Sequence, residues 1–133
     1  MYIGGVYQAT YSAAGVLTGV TKYYTAFGRA VCVRHATSNS DPGTLSYLLA
    51  DQLGSTVGVM DAGGTVVAKQ TYWPYGAVRA ATGVAPADRL FTGQRQEPAA
   101  GDALGLYDYR ARFYSTLVGR FVSADSVRPP DAP

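Results

Sequence analysis

The sequence predicts an all-β fold, a twisted antiparallel meander of β-hairpins. Three observations predict it. Eleven Tyr and sixteen Gly, with many Val and Thr, favour strands separated by frequent turns. A short unit recurs along the chain: Tyr or a substitute, three residues, Gly, then an apolar stretch. The segments that follow these glycines alternate or run β-branched, as strands do. The 133 residues suffice for one domain, and 47% hydrophobic against 15% charged residues argues against a disordered chain.

The repeat begins at Tyr11 (YSAAGVLTGV) and Tyr24 (YTAFGRAVCV). It returns at Ala50 (ADQLGSTVGV), Met60 (MDAGGTVVAK) and Tyr72 (YWPYGAVRAA), and in a stretched form at Tyr114 (YSTLVGRFVS). Its glycines are Gly15, Gly28, Gly54, Gly64, Gly76 and Gly119. Each is expected in a tight turn, where glycine supplies the positive φ at no steric cost. The strands expected between them include residues 16–24, 29–35 and 65–73. The Tyr before each turn is expected to pack over the preceding strand. In an extended stretch from Tyr107 to Tyr114, Tyr107, Tyr109, Ala111 and Phe113 share one face, and Asp108, Arg110 and Arg112 the other. Tyr107, Tyr109 and Phe113 should then bury against Thr71-Tyr72-Trp73 or another Tyr-rich strand. The arginines should face solvent or a carboxylate such as Asp88 or Asp102.

Two stretches interrupt the rhythm. Residues 36–44 (ATSNSDPGT) read as a polar loop. Residues 81–105 read mostly as loop around a short strand at Arg89-Leu90-Phe91-Thr92. The tail from residue 126 to 133 is Pro-rich and expected to fray, which leaves residues 1–125 as the domain. The segment TLSYLLADQLG stays open: Leu45, Leu48, Leu49 and Leu53 have helical spacing, yet Leu45, Tyr47 and Leu49 also alternate.

Charge narrows the function classes. A net charge of +2 calls for neither nucleic acid nor an anionic membrane. Nine Arg accompany only two Lys. Arginine suits a Tyr-rich sheet because it stacks on rings and forks onto carboxylates, although a GC-rich genome gives the same bias. No apolar run reaches membrane-spanning length, and residues 1–5 carry no signal-peptide pattern. The lone cysteine, Cys32, rules out an internal disulfide.

Sites for chemistry are sparse. Cys32 and His35 lie three apart, on opposite faces of a strand, with no second His or Cys to complete a triad or metal site. A packed thiol and a satisfied imidazole is the better reading, and no metal or cofactor is expected. Asp41, Asp51, Asp61 and Asp102 stand beside turn glycines, where Asp bonds its own backbone. Arg110 and Arg112 among tyrosines would suit stacking on single-stranded nucleic acid, but the small net charge favours pairing within the sheet. Neither DAGG nor GQRQ has the spacing of a phosphate-binding loop.

These residues also carry a resemblance. The run YLLADQLGSTVGVMDAGGTVVAKQTYWPYGAVR, then RLFTGQRQEP, then GLYDYRARFYSTLVGRFVSAD resembles the RHS/YD-repeat proteins, in particular their RHS-repeat-associated core. The core pattern reads D-x-L-G-S-T, Y-x-P-F/Y-G, F-T-G-Q, G-L-Y-x-Y-x-A-R-x-Y and G-R-F-x-S-x-D. Every block is present in order, and the match runs from about Tyr2 to Asp125. The matching positions are Asp51, Leu53, Gly54, Ser55 and Thr56; Tyr72, Pro74 and Gly76; and Phe91, Thr92, Gly93 and Gln94. The later blocks supply Gly105, Leu106, Tyr107, Tyr109, Ala111, Arg112 and Tyr114, then Gly119, Arg120, Phe121, Ser123 and Asp125. Gln52 stands where the family usually has His. Ser115-Thr116 and Asp125-Ser126 stand where it often has Asp-Pro.

The resemblance implies a strand over Leu45 to Ala50. It also implies an open fragment of a β-sheet spiral, the shell that encloses a toxic C-terminal polypeptide in bacterial RHS effectors and in the C component of insecticidal Tc toxins. Teneurins use a related shell in cell-surface adhesion. The expected partners are the remainder of an RHS shell and its cargo polypeptide, with self-association through open sheet edges. The expected location is secreted or cell-surface. Family self-cleavage depends on aspartate in a segment ending near Asp-Pro-x-Gly. Only eight residues follow Asp125, and none spells that signal, so no enzymatic activity is expected. The alternative is a stand-alone β binding module for a cell-surface protein or glycan; a remnant of an aspartyl autoprotease ranks last.

Overall fold

The structure, a computed structural model, describes residues 2–3, 6–97 and 105–124. Strands β1 (Tyr2–Ile3), β2 (Tyr7–Tyr11), β3 (Leu17–Ala26) and β4 (Arg29–Ala36) are followed by β5 (Thr44–Ala50), β6 (Thr56–Asp61), β7 (Val66–Tyr72) and β8 (Val78–Thr82). These eight form one open antiparallel meander in chain order. A second, four-stranded sheet contains β9 (Arg95–Gln96), β10 (Leu106–Asp108), β11 (Phe113–Ser115) and β12 (Arg120–Phe121). Between the two lies a short 3-10 turn at Phe91–Gly93. Among the described residues no helix is long and apolar enough to cross a membrane.

The turns explain the repeat. At Ser12, Asp51, Asp61 and Trp73 the same geometry recurs. The amide of the first residue donates to the carbonyl four residues on, and the glycine amide donates back to the first residue's carbonyl, at 2.8–3.1 Å. This is a type I turn closed by a left-handed glycine, with a bulge beside it in the ladder. Gly15, Gly54, Gly64 and Gly76 have φ of +75°, +86°, +87° and +89°. Aspartate is favoured at the first position because Oδ1 of Asp51 accepts from the Leu53 and Ser55 amides, and Oδ1 of Asp61 from those of Gly63 and Thr65. Asp41 acts alike, accepting from the Thr37 and Gly43 amides, and these bonds hold its carboxyl below the usual range. The unit at Tyr24 uses a different turn. Phe27 and Gly28 both have positive φ, as a two-residue type I′ hairpin requires.

One face of the meander is the inner one. Tyr23, Val33, Leu48, Val59 and Ala68, one from each of β3 to β7, form its core. The loop after β8 folds back over them through Ala85 and Ala87. His35 points inward, bonded to Thr21 Oγ1 at 3.0 Å and to the Pro86 carbonyl. Cys32 pairs with Tyr24 and Tyr47 on the opposite face, so thiol and imidazole stay apart.

Three expectations need correction. Residues 107–114 are not one strand. Tyr107 pairs with Tyr114 and Asp108 with Phe113 across a hairpin whose turn holds Tyr109 to Arg112. Oδ1 of Asp108 accepts from the Arg110 amide at 2.7 Å and holds that residue at φ +71°. The alternation was therefore read through a turn, and Phe113 lies on the exposed side, 41% accessible. Residues 89–92 form no strand either. Arg89 makes a single bridge to Arg95, and Thr92 sits at φ +52° in the 3-10 turn. The tyrosines before the first two turns do not pack: Tyr11 and Tyr24 are exposed. The segment left open between helix and strand is strand β5 over residues 44–50, as the resemblance implied. The reading of residues 98–104 and of the tail from 125 onward, Asp102 and Asp125 included, falls outside the described residues.

Two glycines separate backbone from packing. A Cβ on Gly64 would meet nothing within 4 Å, whereas one on Gly76 would strike the Phe91 ring, with Cε1 and Cγ at 2.7 Å. Gly64→Ala should cost about 1 kcal/mol through the left-handed backbone alone. Gly76→Ala should cost roughly 2 kcal/mol more, through overpacking. Urea unfolding of the two variants measures the difference; equal losses would show that Phe91 does not rest on Gly76.

Candidate functional site

The blocks of the sequence pattern, far apart along the chain, converge where the two sheets meet. Ser55 and Thr56, just past the β5–β6 turn, are buried. Ser55 Oγ accepts from the Thr92 amide at 3.0 Å. The Thr56 amide donates to the Leu90 carbonyl at 3.0 Å and its hydroxyl to the Arg89 carbonyl at 2.7 Å. The Gly93 amide donates to the Leu90 carbonyl, and Gln94 bonds Leu90 and Phe91. The Asp51–Thr56 block is thus stitched to residues 89–92 by two side-chain hydroxyls and one amide, which satisfy backbone groups that otherwise would be buried unpaired.

Aromatic rings fill the space beneath. Phe91 contacts Tyr72 at 5.6 Å between centroids, Tyr107 at 6.2 Å and Tyr114 at 6.3 Å. Tyr109, Tyr114 and Phe121 form a mutual edge-to-face triangle at 5.3–5.8 Å. Tyr72, Tyr109 and Tyr114 each carry their hydroxyl to a partner. Tyr72 Oη donates to the Thr56 carbonyl at 2.9 Å, Tyr114 Oη to the Tyr75 carbonyl at 3.0 Å, and Tyr109 Oη meets Thr92 Oγ1 at 2.5 Å. Gly105 and Gly119 allow close approaches, to Thr116 and to the Tyr75 ring. The Arg112 guanidinium stacks 4.0 Å over Phe121, so it faces neither Asp88 nor open water alone.

Not every matched position joins the junction. Leu53, Pro74, Ala111, Arg120 and Ser123 are exposed at turns and strand ends, and Leu106 is half-buried. Two contributors escaped the sequence. Tyr23 Oη donates to Asp88 Oδ1 at 2.5 Å and accepts from the Asp88 amide at 2.9 Å, while Arg89 lies 5.0 Å over the Tyr23 ring. No spacing rule links residues 65 positions apart. Arg95 pairs with Glu97 at 2.7 Å and Asp108 at 3.2 Å. Among the described residues, no three His, Cys, Asp or Glu side chains cluster as metal ligands would. What the site does chemically is to lock two sheets through buried phenols and backbone.

Two outcomes follow for stability. Tyr107 is 1% exposed, so Tyr107→Ala should cost about 3–5 kcal/mol. Phe113→Ala should cost less than about 1 kcal/mol, as exposed changes do. Thermal melts would rank them, and a larger loss for Phe113 would contradict the hairpin. Burial, then the Asp88 charge, raises the Tyr23 phenol well above its ordinary value; burial and then Tyr107 raise Tyr72 likewise. The folded chain keeps these protons at a pH where the unfolded chain loses them. Stability should therefore be intact below about pH 10 and fall as pH rises beyond it. Tyr72→Phe should flatten that decline, and alkaline unfolding of the variant beside the parent tests it.

No protein-family model matches the chain, and no curated protein matches it. Solved structures do. A chain in the crystal structure of TcdB2-TccC3-TEV superposes with a TM-score of 0.71 at 20% identity, covering 98% of this chain and 6% of that one. A chain of TcdB2-TccC3 gives 0.59 at 16% identity over 96% of this chain and 10% of that one. A chain of the Photorhabdus luminescens Tc holotoxin pore gives 0.57 at 16% over 96% and 9%. The chain thus spans a tenth or less of the length of these structures, and what it shares with them is a fold: an open, all-β, antiparallel meander found within far larger Tc toxin chains.

Proposed function

We propose that the chain is a structural segment of an RHS/YD-repeat shell, a piece of the β wall that encloses or presents a polypeptide cargo. The observation that carries this reading is the convergence of the ordered motif blocks on one packed junction. The same blocks, in the same order, define the RHS-associated core that the sequence resembles. The likeness to small parts of Tc toxin chains supports the reading, and a secreted or cell-surface location accords with it. The role proposed is mechanical. Hairpin turns set the pitch of the sheet, and the aromatic junction fixes the second sheet against the first.

Under this reading the chain is not an enzyme. Its paired groups, Tyr23 with Asp88 and Arg95 with Glu97 and Asp108, serve packing. The partners are the neighbouring parts of the shell, reached in part through β8, whose five residues are all exposed and whose outer edge pairs with no described strand.

Electron microscopy of the polypeptide encoded by the complete reading frame should show a hollow shell with this segment in its wall; a solid particle would sink the proposal. The isolated chain should keep its mass on prolonged incubation, as should its Asp125→Asn variant. A specific fragment formed by the parent and not by the variant would make it an autoprotease. In sedimentation, the isolated chain should associate through its sheet edges, and a monomer at high concentration would count against this.

A further inference from the structure

The face of the meander opposite its core carries an unusual row. Register places Tyr24 beside Cys32, Cys32 beside Tyr47, Tyr47 beside Met60 and Met60 beside Val66. These five form an unbroken apolar ladder across β3 to β7, about 19 Å long at the usual strand spacing. Leu49 flanks the ladder by lying over Gly58, its Cδ1 3.3 Å from where a Cβ would stand. Tyr24, Tyr47, Leu49 and Val66 are each exposed, between 38% and 44%. Contiguous apolar surface of this kind marks an interaction site.

The charges around the row have one sign. Lys22 and Arg34 pair on its one side, and Lys69, beside Gly58, lies on the other. Within the strands β2 to β8 themselves the sole carboxylate is Asp61, which pairs with Ser46 on the buried face and is bonded to turn amides, as Asp41 and Asp51 are in the connecting loops. Two such faces brought together would set like charges against each other, which disfavours a second copy as the occupant. A segment combining apolar side chains with carboxylates would cover the ladder and answer its flanking cations.

We infer that this face docks an acidic, apolar segment of another polypeptide along the Tyr24–Val66 row. The inference rests on register, exposure and charge, and it stands or falls independently of the shell reading.

Cys32, second in the row, gives a built-in footprint. The full chain is titrated with a short synthetic peptide of interspersed Leu and Glu, and with its counterpart in which Lys replaces Glu. Affinity is read by fluorescence anisotropy, and occupancy by the rate at which Cys32 reacts with a thiol reagent. The Leu/Glu peptide should bind, slow the Cys32 reaction and weaken with added salt. The Leu/Lys peptide should do none of these. Combined Tyr47→Thr and Val66→Thr, both exposed and strand-compatible, should lower affinity about tenfold or more if the row is a binding hot spot. Val78→Thr, exposed but off the row, should leave it unchanged. Equal binding of the two peptides, no binding, or binding without Cys32 protection would overturn the inference. So would Cys32 protection that grows with protein concentration alone, since that would make a second copy the occupant. If the double variant fails to fold, the charge comparison on the parent chain still decides.

Discussion

The fold depends on one contact, the Phe91 ring against a residue that has no side chain. Gly76 is held at φ +89° by its turn, and the space its Cβ would occupy belongs to Phe91. One glycine thus meets two demands: a left-handed backbone and a seat for a ring. Phe91 in turn is the ring that touches both sheets, Tyr72 on the meander and Tyr107 and Tyr114 on the smaller sheet. Burying such a side chain is worth about 2–3 kcal/mol, and displacing it would loosen its three neighbours as well. The hydrogen bonds from Ser55 and Thr56 to residues 89–92 can form because the ring fixes where that loop lies.

How much of this was legible depended on how local each cause is. The turn glycines were readable because positive φ is a property of the residue itself. All six repeat glycines adopt it. The aspartates that open the turns were readable for the same reason, since each bonds amides two to four residues away. The hairpin at residues 106–115 was not. Its turn contains no glycine, and its left-handed residue is Arg110, held there by the Asp108 side chain. With no breaker in view, alternation ran straight through. Residues 89–92 misled differently. Their apolar, β-branched character suits a strand, but bonds from Ser55 and Thr56, more than thirty residues earlier, impose another shape.

The junction shows the same division. The resemblance supplied the order of the blocks, and order along a chain says nothing of contact in space. The matched residues with a physical reason to be of one type are those the junction buries: Ser55, Thr56, Gly76, Phe91, Gly105 and Tyr107. Pro74, Ala111 and Ser123 match the pattern equally well and lie exposed. A pattern match therefore mixes two kinds of position, those that close the junction and those that only shape its turns. The Tyr23–Asp88 pair belongs to the first kind and carries no motif at all.

The balance of surfaces bears on what such a chain is for. Among the described residues ten apolar side chains are buried, while nineteen large ones remain exposed. A self-sufficient domain of this length would bury roughly two thirds of its unfolded surface around one core. Here the inner face of the meander is covered by one returning loop, through Ala85, Pro86, Ala87, Asp88 and Arg89, while Tyr24, Tyr47 and Val66 on the outer face stay exposed. Hairpin geometry alone does not repay the entropy of ordering long strands, so a sheet this thin gains most when something packs on its faces and edges. Repetition supplies that in spiral and solenoid architectures, where each unit stabilises the next. The same physics makes the glycine turn the economical device: it adds another strand at fixed twist with one residue type, and it leaves both faces free to be completed by whatever lies beside them.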